Sequence, residues 1–156
     1  MIRSATHLWF NGNAKEAVSF YVSLIPGSKI LEDRVLADAG PNEDTDYQTL
    51  SFELAGTRYM ALDKSPFTFT LATSIFLICD TQEEIDRLWE GFIGNGGKAL
   101  QCGWLTDQYG LNWQIAPADI LRMVCENSDA GRRAAKAMMS MIKFDIAALR
   151  AAYAGS

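Results

Sequence analysis

Apolar residues recur at i, i+3, i+4, i+7 spacing in two separate stretches. The first holds Ala14, Ala17, Val18, Tyr21, Leu24 and Ile25; the second holds Ile85, Leu88, Trp89, Phe92 and Ile93. Each is the single stripe of an amphipathic helix. Asn13 with Glu16, and Thr81 with Glu84, have the spacing of a capping box at the two helix starts. Pro26-Gly27 and Gly94-Asn-Gly-Gly97 end the two helices. Extended segments surround them. Residues 4–10 precede the first helix, and 28–37, 47–54 and 57–63 follow it. Residues 74–79 precede the second, and 98–101, 103–106 and 111–116 follow it. The caps are offset by 68 positions, and the same offset carries Tyr21 to Trp89, Leu24 to Phe92 and Ile25 to Ile93. The chain therefore contains a βαβββ unit twice.

A lone unit has a helix on one face of a curved sheet and an open concave face on the other. Two units are expected to form an incomplete barrel whose concave faces make a cleft. The fold class is α+β, with a paired domain over 1–116 in units of about 1–66 and 67–116. The segment Gln101–Ile115 dominates the second unit: two short strands with Asp107-Gln-Tyr-Gly110 as their turn. Residues 117–156 form a helical extension of the same domain, with helices over 118–125, 129–142 and from Asp145. Its stripe of Ala134, Ala137, Met138, Met141 and Ile142 is an adaptable packing surface. It is expected to cover a sheet or a neighbouring subunit.

Composition narrows the class. At 156 residues the chain suits one domain, and 49% hydrophobic with 21% charged residues is globular rather than disordered. A net charge of -5 without a Lys/Arg cluster argues against nucleic acid. Asp107 and the run Glu43-Asp-Thr-Asp46, in the loop that opens with Ala39-Gly-Pro-Asn42, are expected to face solvent. Three cysteines without CxxC spacing argue against structural zinc and a disulfide framework. Neither a signal pattern nor an apolar span long enough for a membrane is present, so a cytoplasmic location without membrane contact is expected.

His7 is the one histidine, and hence the best acid–base candidate; a structural, hydrogen-bonded strand histidine is the competing reading. Two-residue alternation puts Trp9 on the same face. Cys102 paired with His7 would be a nucleophile arrangement, whereas alone it reads as a buried, inert thiol. Cys79 ends an apolar strand and reads as core. Trp9, Tyr59, Phe67, Phe69, Trp104 and Trp113 either line a pocket for a flat apolar molecule or fill the barrel themselves. Phe67 and Phe69 lie in the crossover 64–73, placed to lid the cleft.

The segments Leu8–Tyr21, Pro26–Ile30, Tyr59–Leu62 and Asp145–Tyr153 resemble the PhnB-like branch of the vicinal oxygen chelate superfamily. The stretch Gln101-Cys-Gly-Trp-Leu-Thr-Asp-Gln-Tyr-Gly-Leu-Asn-Trp-Gln114 does so above all. That superfamily includes glyoxalase I, extradiol dioxygenases, and fosfomycin and bleomycin resistance proteins. Members of the branch are often labelled 3-demethylubiquinone-9 3-methyltransferase. The glycine cluster at 94–97 follows a helix and precedes a strand, the reverse of a cofactor-binding turn, and gives that label no support.

The resemblance implies four inward ligand positions in metal-dependent relatives. Here they fall on His7, Met60 (or Ala61 with a one-residue slip), Ser74 and Gln114. Only His7 is a good donor, and Asp63 would have to swing in to serve. No metal and no cofactor are therefore expected. The resemblance implies a homodimer whose cleft, lined by His7, Trp9, Met60, Ser74, Trp104 and Gln114, binds a small molecule. The alternative is an enzyme of the superfamily using His7 with a recruited metal or Cys102.

Overall fold

Alternation in the first strand sets the pattern for the whole chain. In β1 (Thr6–Trp9), Leu8 is buried while Thr6 and His7 are exposed, and Phe10 continues the buried side. That side packs on α1 (Ala14–Leu24), whose Ala14, Ala17, Val18 and Tyr21 are buried. The computed structural model describes residues 1–38 and 45–156. The expected loop at 39–42, and Glu43 and Asp44 of the acidic run, lie outside the described residues. Three strands follow α1: β2 (Lys29–Leu36), β3 (Tyr47–Leu54) and β4 (Thr57–Leu62). The sheet order is β1-β4-β3-β2, with β1 parallel to β4 and the other pairs antiparallel. Leu50, Phe52, Leu54, Tyr59 and Ala61 face the helix, with Phe52 and Tyr59 stacked at 5.5 Å between ring centroids.

The second sheet repeats the first. β5 (Ile75–Cys79) leads to α2 (Gln82–Gly94), then β6 (Lys98–Ala99), β7 (Trp104–Thr106) and β8 (Asn112–Pro117). Its order is β5-β8-β7-β6, again with one parallel and two antiparallel pairings. Ile85, Leu88, Trp89 and Phe92 of α2 are buried, and Phe92 packs on Trp113 at 4.8 Å between centroids. Neither sheet closes into a barrel, and each belongs to its own compact unit, Met1–Thr68 and Phe69–Ser156.

The two helix starts are not equivalent. Thr81 and Glu84 make the full capping box. Asn13 makes no side-chain cap bond, and its Oδ1 is buried without a partner among the described residues. Its ψ of 22° departs from the extended backbone that aims a cap oxygen at the first turn. The glycine cluster closes α2: the amides of Gly96 and Gly97 donate to the carbonyls of Ile93 and Phe92, and Gly96 takes φ +96°.

The tail forms α3 (Ile120–Val124), α4 (Asp129–Ser140) and α5 (Ile146–Ala154), with Ser128 and Asp145 as caps on α4 and α5. It is part of the second unit. Gln82 of α2 donates to the Phe144 carbonyl at 2.9 Å and accepts from the Ile146 amide at 2.9 Å, and Lys143 pairs with Asp86 at 2.6 Å. The expected inward stripe of α4 is only partly realised. Ala134 is buried, Ala137, Met138 and Met141 are half-buried, and Ile142 is 48% exposed. The helix ends at Ser140, so Met141 and Ile142 leave its periodicity. Among the described residues no helix is long and apolar enough to cross a membrane.

Candidate functional site

In the first unit, the face of β1 turned away from α1 carries His7 and Trp9, as alternation predicts. His7 is exposed, lies opposite Met60 in the parallel register, and makes no side-chain hydrogen bond with a described residue. The reading of His7 as a hydrogen-bonded structural residue is therefore not realised. Trp9 is held more firmly. Its Nε1 donates to the Asp63 carbonyl at 2.8 Å, and Phe67 meets its ring edge-on at 6.0 Å. The Asp63 carboxylate accepts from the amides of Gly12 and Lys64. Both bonds fall on Oδ1 and brace the turn. Phe67 is exposed apart from its Trp9 contact.

In the second unit, three neighbouring strands place Phe76, Gln114 and Trp104 in one row, on the face opposite α2. This register corrects the sequence alignment. Gln114 pairs with Phe76, just as Met60 pairs with His7, so Phe76 and not Ser74 stands where the repeat puts the counterpart of His7. Ser74 lies two residues upstream on the same face, where Gln114 Nε2 donates to its Oγ at 2.8 Å. The strand-to-helix connection is shorter by one residue in the second unit: Phe10 is followed by Asn11, Gly12 and Asn13 before α1, whereas only Asp80 and Thr81 separate Cys79 from α2. Counting back from the caps would carry His7 to Ile75, one residue short of Phe76, and only the pairing reveals it.

The C-terminal helices roof this row. The amides of Cys102 and Gly103 donate to the carbonyls of Met141 and Ile142, both at 2.8 Å. Between sheet and roof lies a cavity of 200 Å³, bounded by Phe76, Trp104 and Gln114 below and by Val124, Met138 and Phe144 above. No charged side chain lines it. A shallower groove of 570 Å³, walled by Leu71, Leu100 and Ile142, uses the same Trp104.

The signature turn below the row is organised from inside. Asp107 is 5% exposed, contrary to the expectation of a solvent-facing carboxylate. Its Oδ1 accepts from the amides of Tyr109 and Leu111, and its Oδ2 accepts from Trp113 Nε1 at 2.8 Å. A buried carboxylate with three donors is a structural bracket.

The three thiols differ. Burial pushes Cys79 up to about 11, with Glu84 and Asp80 adding to the rise and Arg87 opposing it. Cys102 is half-buried, less than the inert-core reading requires, and its Sγ donates to the Met138 carbonyl at 3.6 Å. Cys125 is exposed. Cys102 and His7 belong to different units, and no acid–base partner for either is present among the described residues of its own unit. At pH 8, Ellman's reagent is expected to modify Cys125 first. Cys79 should react only after unfolding, because a thiol with so high a pKa carries little thiolate at that pH. Rapid labelling of all three sites in the native protein would contradict this order.

Among the described residues no group of three His, Cys, Asp or Glu side chains is close enough to hold a metal ion. The repeat-related positions His7, Met60, Phe76 and Gln114 offer one imidazole, a thioether, a phenyl ring and an amide. That set does not fit a divalent ion, which takes several imidazole or carboxylate donors.

The family model described as 3-demethylubiquinone-9 3-methyltransferase matches residues 3–116. A Bacillus cereus PhnB protein carrying the same methyltransferase name is 34% identical, with a TM-score of 0.64. That match covers 75% of this chain and all of the other. A Pseudomonas aeruginosa protein of solved structure is 22% identical over 75% of this chain and 98% of its own, with a TM-score of 0.57. The fosfomycin resistance protein FosX of Listeria monocytogenes, solved with Mn(II) and sulfate, shares the fold. It is 14% identical over 74% and 92% of the two chains, with a TM-score of 0.52. No protein of curated function matches significantly. The fold is thus that of the vicinal oxygen chelate superfamily, which includes glyoxalases and FosX. Within it, the chain belongs to the PhnB-like family described as 3-demethylubiquinone-9 3-methyltransferase. The helical tail lies outside the span of the family model.

Proposed function

We propose that this PhnB-like protein binds a small, flat, apolar molecule without a metal ion, on the inner face of its second sheet. The supporting observation is the uncharged cavity between the row Phe76–Gln114–Trp104 and the roofing helices. Convergence of aromatic walls on one polar group is the usual make-up of a small-molecule site. The donor set at the repeat-related positions supports metal independence. Nothing in the glycine cluster, which serves as the cap of α2, supports a methyltransferase cofactor.

Titration with naphthalene, followed by tryptophan fluorescence, tests the reading. Saturable quenching is expected, and Val124→Trp, which fills the cavity from its roof, should abolish it while leaving the melting transition cooperative. Elemental analysis of the purified protein should show no stoichiometric transition metal. Absence of saturable binding, or one equivalent of metal per chain, would overturn the proposal.

A further inference from the structure

We infer that the cavity of the second unit selects a neutral aromatic ligand bearing one hydrogen-bond donor, of the indole or phenol class, and that Gln114 is the residue that reads that donor. The inference rests on the binding function proposed above and adds the chemistry of the ligand.

Size sets the first limit. An apolar cavity of roughly 150 Å³ holds a benzene ring, and drug-sized sites start at about 300 Å³. At 200 Å³ this one takes a fused bicycle or a substituted single ring. The roof imposes the limit: Val124, Met138 and Phe144 come from the tail, beyond the residues that the family model matches.

Charge sets the second. With no ionised side chain on its walls, the cavity would strip water from an anion or cation and return nothing for it. The ligand is neutral.

The row sets the third. Phe76 and Trp104 stand on the strands on either side of Gln114, so their backbones lie two strand spacings apart, roughly 10 Å. A flat ring fits between them with one edge toward the amide. Gln114 Nε2 is spent on Ser74 Oγ, which fixes the side chain and leaves Oε1 on the wall as an acceptor with no donor among the described residues. The other polar side chain there, Cys102, already donates its thiol proton to the Met138 carbonyl. An acceptor at the inner edge of an apolar slot is satisfied by a ligand N–H or O–H. A ligand lacking one takes the acceptor out of water unpaired.

Indole and benzothiophene separate the alternatives, since they share a shape and differ in the N–H. Isothermal titration of the full-length protein should give a Kd for indole at least tenfold below that for benzothiophene. In Gln114→Met, which keeps the side-chain length, the indole Kd should rise at least tenfold and the benzothiophene Kd stay within twofold. Equal affinities in the unsubstituted protein would overturn the donor-selective reading and leave the apolar site standing, a result that requires no variant. A preference that survives Gln114→Met would also overturn it. Failure of naphthalene, indole and benzothiophene alike would overturn the binding function itself.

Discussion

Gly103→Ala is expected to destabilise the protein by about 3–5 kcal/mol, enough to leave much of the second unit unfolded at 37 °C. Two costs combine. Gly103 has φ +75°, a conformation that charges an L side chain about 1–2 kcal/mol. A Cβ there would also lie 2.5 Å from the Phe144 ring and 2.6 Å from the Ile115 carbonyl, and neither has room to retreat. Phe144 is buried, and its own carbonyl is bound by Gln82. Ile115 lies mid-strand in β8, its amide bonded to the carbonyl of Gly103 itself. Gly56 is the matched control, with φ +84° and nothing within 4 Å of the point a Cβ would occupy. Gly56→Ala should therefore cost only the conformational part. Urea denaturation of the two variants reads the difference, and comparable midpoints would refute the close-approach explanation.

Asp107→Ala is the second large effect, about 3–4 kcal/mol. Removing the carboxylate leaves the Trp113 indole N–H and the amides of Tyr109 and Leu111 without their acceptor, and Trp113 is fully buried. Water cannot reach that nitrogen without opening the packing of Trp113 on Phe92. Asp107→Asn keeps Oδ1 as an acceptor for the two amides but turns an NH₂ toward the indole, so it should recover only part of the loss. Equilibrium unfolding of the three proteins gives the order, with unsubstituted above Asn above Ala. An alanine variant within 1 kcal/mol of the parent would show that the bracket contributes little.

Both effects arise in one short turn system. Gln101–Trp104 is a tight turn whose two central residues, Cys102 and Gly103, both have positive φ, and Trp104 N closes it on the Gln101 carbonyl at 3.2 Å. Both residues also donate to the tail, at Met141 and Ile142 between α4 and α5. The most recognisable stretch of the sequence is thus where sheet and tail are fastened together. It forms one wall of the proposed site, and conformational cost is spent there on fixing Trp104.

Much of this protein is written in local pattern. The two helical stripes, the Thr81 cap, the glycine stop after α2 and the strand alternation all follow from periods of 3.6 and 2. So does the duplication, since order and caps repeat even where identities do not. Trp9 and His7 share a face for the same reason.

What local pattern could not decide was every feature that depends on distant partners. Asp107 looks like a surface carboxylate until Trp113 turns its N–H toward it. Phe76 replaces Ser74 as the counterpart of His7 because strand register is a property of pairs, which counting along one chain does not give. The Asn13 cap fails where its backbone leaves the extended region, next to Gly12, whose amide is bound by Asp63 51 positions away. The roof over Gln114 is the furthest removed from the sequence. The stripe of α4 announces an apolar face, but an apolar face names no partner, since burial has magnitude and no direction. Only tertiary packing chose the inner face of the second sheet for it and so made an open surface into a partly covered cavity.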